Sequence, residues 1–568
     1  MKTTYHHRLR WIVNEKYKSI FHPYTLNHII NLENIQEHRI VRTLTSRTVR
    51  YLKPSSPEIP ALYLKEYHLP TLLDGIKNLF LSPAEREWCA ARKISKRNVS
   101  TFTPLAVGKL KKFGLLKKNY LISKSIEDAR SIKEYLFDCY LSQAECRADE
   151  KIKATVGLAK FVKDLHQKGI FHQDFHWGNI LVKKGEQGTI NFYLMDLQRI
   201  KLKSKLTDME KIKNLASLNT GFYQKVRKTE RLRFLKAYAE GDKKWEKDYH
   251  SFARLIEEMT DKMTRKKWRK RDKRCFRQNK YFASFKSSTC KGFINRDFCN
   301  PELLDFLSNP DRAFSESASI IIKDSHTTSS CFLPLKIAGE KGEIHIKHYN
   351  YQNIFYALKN LFRTSRAKRV WKTANSLVSR SIPTPLPVCF LEERKWRLLI
   401  KSFFISLKIN QSLSLNALLQ EGFSGTSTEA PERKIGLIQQ VANMVREMHD
   451  RGICHGDLKS NNILVEKKAG KEDKPYLVDL DSARIKKGVK KEDRIRDLAR
   501  LNASLLDTKI VSMPDRLRFL KHYLNVVGKK GEHTVREYWK EIVCKTQKKL
   551  KKSGRKFTTC KATIKEKT

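Results

Sequence analysis

Two short segments of this 568-residue chain place histidines, acids and amides at spacings that can do chemistry. His172-Gln-Asp174 is followed five residues after the aspartate by Asn179, and His455-Gly-Asp457 is followed at the same distance by Asn462. A second aspartate ends a hydrophobic run 17 residues beyond each asparagine: Asp196 in the first case, Asp479 in the other. An Asp, an Asn and a further Asp in this order suit phosphoryl transfer. The first Asp accepts a proton from an attacking hydroxyl, or orients it. The Asn carbonyl and the second carboxylate hold Mg²⁺ on phosphates whose charge must be neutralised. Any one of these aspartates alone is as readily a turn or cap residue. The complete set, present twice, is not.

Other parts of a phosphotransferase can be sought upstream. Lys65 and Lys347 each end an alternating apolar run about 110 residues before the catalytic Asp. They are the candidates for gripping the α- and β-phosphates of ATP, although a chain this rich in lysine leaves other placements open. Glu87, in the helical stretch after Lys65, can aim that lysine, with Glu85 as its competitor. The position matching Glu87 in the second segment is Val370, so that pair is either missing there or supplied from elsewhere. Neither segment has a GxGxxG loop, and Ala338-Gly-Glu-Lys-Gly342 reads as a plain hairpin turn. Phosphate binding then falls to backbone amides and basic side chains. The usual glycine is absent from the triplets Asp196-Leu-Gln198 and Asp479-Leu-Asp481. Two residues after the catalytic Asp stands His176 in one copy and Lys459 in the other. A Lys here stabilises the transferring phosphoryl group in eukaryotic protein kinases, whereas a His is more typical of small-molecule kinases.

The elements that position these residues are also duplicated. Phe171 to Val182 reappears as Cys454 to Val465, Tyr193-Leu-Met-Asp-Leu197 as Tyr476-Leu-Val-Asp-Leu480, and Leu215-Ala-Ser-Leu-Asn219 as Leu498-Ala-Arg-Leu-Asn502, all offset by 283 residues. Lys77-Asn-Leu-Phe80 matches Lys359-Asn-Leu-Phe362, Trp88 falls opposite Trp371, and Arg231-Leu-Arg-Phe-Leu235 matches Arg516-Leu-Arg-Phe-Leu520. So many ordered blocks mark an internal duplication. Each copy opens with β-like runs (Ala61–Lys65; Ile344–Lys347), then an amphipathic helix, then another strand pair (Tyr120–Ile122; Arg397–Ile400), and is mostly helical thereafter. The expected fold is α+β: two tandem bilobal protein-kinase-like domains, each with a small β-rich N-lobe and a larger helical C-lobe. Residues 1–285 form the first copy, 286–315 a linker rich in turn formers, 316–550 the second copy, and 551–568 a basic, disordered tail.

Bulk properties fit a globular protein attracted to anions. The formal net charge is +55, with 40% hydrophobic residues. Such charge favours nucleic acid, anionic headgroups or phosphorylated glycolipid. No nucleic-acid-binding motif accompanies it, so no nucleic-acid partner is expected. No run of about 18 apolar residues is present, and the basic N-terminus lacks a signal-peptide pattern, so a cytoplasmic location is expected. The eleven cysteines are scattered without a CxxC pair, as for reduced structural thiols.

The first copy resembles the bacterial lipopolysaccharide-core kinases of the Kdo/WaaP family. The resemblance is carried by Tyr120-Leu-Ile-Ser-Lys-Ser-Ile-Glu-Asp-Ala129, His172-Gln-Asp-Phe-His-Trp-Gly-Asn179, Leu194-Met-Asp-Leu-Gln198, Asn214-Leu-Ala-Ser-Leu218, Arg231 to Leu235 and Lys267 to Phe276. The second copy is similar through Ile382-Pro-Thr-Pro-Leu-Pro387, His455 to Asn462, Leu477-Val-Asp-Leu-Asp481, Asp497-Leu-Ala-Arg500 and Asp515 to Leu520. The resemblance implies ATP- and Mg²⁺-dependent phosphorylation of a heptose or Kdo hydroxyl in the lipopolysaccharide core. It further implies a peripheral location at the inner face of the inner membrane, with the lipid A–core glycolipid and an anionic membrane surface as partners. Clusters such as Arg265-Lys-Lys-Trp-Arg-Lys-Arg271 can grip phosphates, or can be a solvated helix face. Two other readings remain: a related kinase acting on a protein or small molecule, and a tandem in which one copy is a pseudokinase serving a binding or regulatory role.

Overall fold

The computed structural model describes residues 4–6 and 9–552, apart from 45, 70, 79, 113–114, 142–147, 224–225, 318, 338–339, 351–363, 396–397, 422–428, 468–472, 507–509 and 526–529. The chain forms two compact units, Met1–Arg265 and Lys266–Thr568.

The first unit begins with strands β1 (Thr4–His6), β2 (Leu9–Val13), β3 (Ile35–Leu44), β4 (Arg47–Pro54), β5 (Leu62–His68), β6 (Pro104–Lys112) and β7 (Leu115–Lys124). They make one antiparallel sheet in the order β1-β2-β6-β7-β5-β4-β3. Period-two alternation decides what each face of β5 does. Leu62 and Leu64 go to a cluster with Trp11, Phe21 and Leu26 on one side. Lys65 and Tyr67 turn to the other, where the helix Pro83–Ser95 packs through Trp88 and Ala91. That helix starts sharply. Ser82 is its N-cap, Pro83 follows, and Ser82 and Glu85 close a capping box.

Below the sheet lies the helical part, threaded by short strands: β8 (Arg130–Ser131), β9 (Ile170–His172), β10 (Ile180–Lys184), β11 (Ile190–Leu194) and β12 (Ile200–Leu202). β10 and β11 form a hairpin and β9 pairs with β12, so the loop between β9 and β10 is held at both ends.

The second unit repeats this plan strand for strand. β13 (Phe282–Lys286), β14 (Cys290–Asn295), β15 (Ile320–Ser325), β16 (Thr328–Ile337), β17 (Glu340–Asn350), β18 (Pro387–Lys395) and β19 (Leu398–Leu407) stand in the order β13-β14-β18-β19-β17-β16-β15. The helical part carries β20 (Ser412–Ser414), β21 (Ile453–Cys454), β22 (Ile463–Glu466), β23 (Lys474–Leu477) and β24 (Arg484–Ile485). Ile344 and Ile346 of β17 enter one cluster and Tyr349 the opposite one, as in β5. The helix Arg366–Ser379, N-capped by Ser365, buries Trp371 completely, and its indole Nε1 donates to the Cys275 carbonyl at 3.0 Å.

The segment 286–315 is not a linker. It holds β14 and the helix Pro301–Ser308, whose Leu303, Phe306 and Leu307 are core residues of the second unit. Its Ser, Thr, Gly and Asn residues flank strands too short to read as periodic. The division between units falls earlier, inside the helix Tyr249–Arg274. The final helix, Lys530–Lys552, takes in the first two residues expected in the tail; residues 553–568 lie outside the described residues, as do the Lys359–Phe362 block and Ala338–Gly339. Among the described residues no helix is long and apolar enough to cross a membrane, and the described cysteines are free.

Candidate active site

His172 and His455 fix the loop that carries the first aspartate. Each imidazole is buried, and burial lowers its basicity. His172 Nε2 meets the Met195 carbonyl at 3.3 Å and His455 Nε2 the Val478 carbonyl at 2.9 Å, so each donates to the residue just before the second aspartate. In the first unit Nδ1 of His172 also accepts from the Asp174 amide at 3.1 Å.

The asparagines lock the same two segments. Asn179 Nδ2 donates to the Asp174 carbonyl at 2.9 Å, and the Asn179 carbonyl accepts from the Met195 amide at 2.8 Å. In the second unit Asn462 Nδ2 reaches the Asp457 carbonyl at 2.8 Å, and Val478 N reaches the Asn462 carbonyl at 3.0 Å. Asp196 and Asp479 follow in the left-handed region, with φ of 56° and 55°. A non-glycine residue held there is a local strain that the surrounding structure must impose.

A helix supports each loop from behind, in two chemically different ways. Asn214, on the helix Asp208–Phe222, accepts from the His172 amide at 3.1 Å and donates to its carbonyl at 2.9 Å. Its counterpart is Asp497, on the helix Lys491–Ser504, which accepts from both the His455 amide at 2.8 Å and the Gly456 amide at 2.9 Å. An amide suits one donor and one acceptor; a carboxylate suits two donors. The difference follows from Gly456, whose φ of +79° turns its N–H toward the helix, whereas Gln173 donates to the Arg199 carbonyl.

Lys65 finds the partner expected of it. Its Nζ lies 2.5 Å from Glu87 Oε1; the Tyr67 hydroxyl donates to Glu87 Oε2, and the Leu197 amide lies 3.4 Å from Oε1. Glu85 is engaged elsewhere, by the Ser82 cap and by Lys109 at 2.6 Å. Arg47, the first residue of β4, holds Asp196 with two nitrogens, each 2.9 Å from an oxygen. Burial raises the Asp196 carboxyl, but Arg47 outweighs it and the group is pushed down to about 2.

The second unit solves the same problem with other residues. Lys347 Nζ lies 2.7 Å from Asp479 Oδ1 and 2.9 Å from Asp481 Oδ2. The Tyr349 hydroxyl donates to Asp481 Oδ1 at 2.5 Å, and Arg366 Nη2 is 3.4 Å from Oδ2. Burial opposes the charge on Lys347, yet the Asp481 and Asp479 carboxylates raise its pKa above the usual lysine range. Val370 is buried in the apolar core. Lys459 Nζ is 2.8 Å from Asp457 Oδ2, while His176 caps a single turn by accepting from the Gly178 amide at 3.0 Å.

Sequence reasoning gave no site role to Arg47, Tyr67 or Asp481, nor to Asn214 and Asp497, which it met only within the blocks that carry the resemblance. The signals were there. Tyr67 and Tyr349 each stand two residues after the lysine, on the same strand face, and Asp481 lies opposite Gln198 in matched triplets.

The family model for the lipopolysaccharide kinase (Kdo/WaaP) family matches twice, at residues 61–238 and 345–523. The lipopolysaccharide core heptose(I) kinase WaaP of Escherichia coli strain K12 is 25% identical over 207 residues, covering 34% of this chain and 74% of the relative. The 3-deoxy-D-manno-octulosonic acid kinase of Photobacterium damsela subsp. piscicida is 24% identical over 247 residues, 41% of this chain and 95% of the relative. A solved structure of WaaP in complex with acyl carrier protein aligns with 17% identity and a TM-score of 0.34, over 45% of this chain and 99% of that one. With both matched segments lying on the two copies of the motif set, this chain belongs to the lipopolysaccharide kinase (Kdo/WaaP) family.

Proposed function

We propose that each unit transfers the γ-phosphoryl group of ATP, with Mg²⁺, to a heptose or Kdo hydroxyl of the lipopolysaccharide core at an anionic membrane surface. The observation that carries this reading is the asparagine bridge. In both copies one residue binds the carbonyl of the catalytic aspartate and receives the amide just before the second aspartate, making base and cation ligand one rigid unit. Such pre-organisation is what in-line transfer requires of a protein.

The donor set fits a nucleotide-bound cation. Asn179 and Asn462 spend their amide nitrogens on backbone, which leaves the side-chain oxygens as donors beside Asp196 and Asp479. Asn179 with Asp196, and Asn462 with Asp479, would hold the cation together with phosphate oxygens of the nucleotide. The bound Mg²⁺ supplies neutralisation of phosphate charge. Asp174 and Asp457 accept the proton of the sugar hydroxyl and aim its oxygen. Lys65 and Lys347 hold the α- and β-phosphates. The net charge of +55 draws a basic protein to an acceptor that is itself an anionic glycolipid.

The test is transfer from γ-labelled ATP with Mg²⁺ to purified lipopolysaccharide lacking core phosphate, set against a peptide pool and an aminoglycoside. Label in the core oligosaccharide supports the reading. Label only in the peptide pool or the aminoglycoside moves the acceptor, and no transfer by folded wild-type protein removes the enzyme.

A further inference from the structure

We infer that Asp481 is the positioning carboxylate for Lys347 and that it replaces, in the second copy, what Glu87 does in the first. This deepens the reading above, since it takes Lys347 as the phosphate-gripping lysine.

Four positions change together between the copies. The sheet registers align Lys65 with Lys347 and Tyr67 with Tyr349: Val49 faces Lys65 as Ser330 faces Lys347. The N-caps Ser82 and Ser365 align the two helices, so Glu87 corresponds to Val370. Asp196 and Asp479 align the hairpins, so Gln198 corresponds to Asp481. The first copy therefore has Glu on the helix and Gln on the hairpin; the second has Val on the helix and Asp on the hairpin. In each copy a carboxylate on the lysine also takes the tyrosine hydroxyl, Glu87 in the first and Asp481 in the second, where Lys347 meets Asp479 as well.

Asp481 is not placed as a second cation ligand. One of its oxygens takes the Tyr349 hydroxyl and the other meets Lys347 and Arg366, while Asp479 is the more open of the two, 43% exposed against 17%. Arg366, at the position of Pro83, adds a cation that the first copy lacks. A consequence follows for assembly. In the first copy the lysine is aimed only when the helix Pro83–Ser95 is docked. In the second its anchor and the cation ligand sit on the same hairpin, two residues apart, and the helix Arg366–Ser379 reaches that anchor through Arg366 rather than supplying it.

The experiment uses the full chain carrying Asp174→Ala, so that only the second copy turns over. Lys347 is read by mass spectrometry as its labelling rate with an amine-reactive reagent, and nucleotide binding as the melting shift with Mg²⁺–ADP. Asp481→Asn is expected to raise Lys347 labelling several-fold, to diminish the Mg²⁺–ADP shift and to lower turnover about 100-fold. The double variant Val370→Glu, Asp481→Gln transplants the first copy's arrangement, and is expected to restore slow labelling and to recover turnover to within about tenfold of the parent. A purely structural role for Asp481 would not be rescued this way. Unchanged labelling in Asp481→Asn, or a folded double variant that labels as fast as Asp481→Asn, overturns the inference. Because labelling needs no sugar acceptor, it reports on Asp481 even where core phosphorylation fails.

Discussion

Arg47 places a guanidinium nitrogen 2.9 Å from each carboxylate oxygen of Asp196. Thr328 stands at that point of the second copy, since it faces Tyr349 as Arg47 faces Tyr67. A bidentate guanidinium thus supplies positive charge where a nucleotide-bound cation is proposed. Arg47→Ala, made with Asp479→Asn so that only the first site titrates, should lower the Mg²⁺ midpoint for thermal stabilisation by about tenfold. An unchanged midpoint would put the cation elsewhere.

Glu87 is wholly buried and has Lys65 and Tyr67 as partners. Glu87→Gln keeps its shape but loosens the lysine. In a chain carrying Asp457→Ala, initial rates should fall about 100-fold. A change below about threefold would show that Lys65 needs no such aim.

Gly456 cannot be replaced without rebuilding its loop. A Cβ there would lie 2.4 Å from the Ser482 carbonyl oxygen, at a φ of +79°. Gly456→Ala should cost about 1–3 kcal/mol in denaturant melts and silence the second copy while leaving the first active.

Arg380 and Asp272 form a buried ion pair in the second unit, with nitrogens 2.7 and 2.9 Å from the two carboxylate oxygens. Asp272→Ala leaves a guanidinium buried without its acid, and should cost about 3–5 kcal/mol of unfolding free energy. Chemical denaturation that follows the second unit checks it.

His166 is buried against the Tyr238 hydroxyl, 2.7 Å away, and burial drives its pKa down to about 3. The folded chain therefore keeps it neutral, while the unfolded chain protonates it below the ordinary value of 6.5. Its contribution to stability is complete above that value and shrinks as pH falls toward about 3. The difference in unfolding free energy between wild type and His166→Gln, followed across that window, should fall with acidification; a flat difference would place a proton on His166 in the folded protein.

The grouping of the candidate site residues was the more legible part of this sequence. Asp174, Asn179 and Asp196, with their second-copy partners, are local signals within one loop and one hairpin, and local spacing survives folding. The pair Lys65–Glu87 could be read too, because a period-two strand and a capped helix fix which faces meet. Arg47 is different. It reaches Asp196 across 149 residues, from a hairpin whose register no local pattern announces. The swap to Asp481 was visible only as a missing acid at Val370, since a carboxylate supplied from another element keeps no spacing to the lysine. The same holds for β13 and β14, short strands that make sense only once β14 lies beside β18 and β13 beside β14.

The most direct measurement is mass spectrometry of core oligosaccharide from a bacterial strain that lacks its own core kinases and carries this chain. Wild-type protein should add phosphate to the core; Asp174→Ala and Asp457→Ala should each lose part of that addition, and the double variant all of it. Core phosphate persisting in the double variant, with the protein folded and present, would contradict the assignment of these aspartates as the catalytic bases.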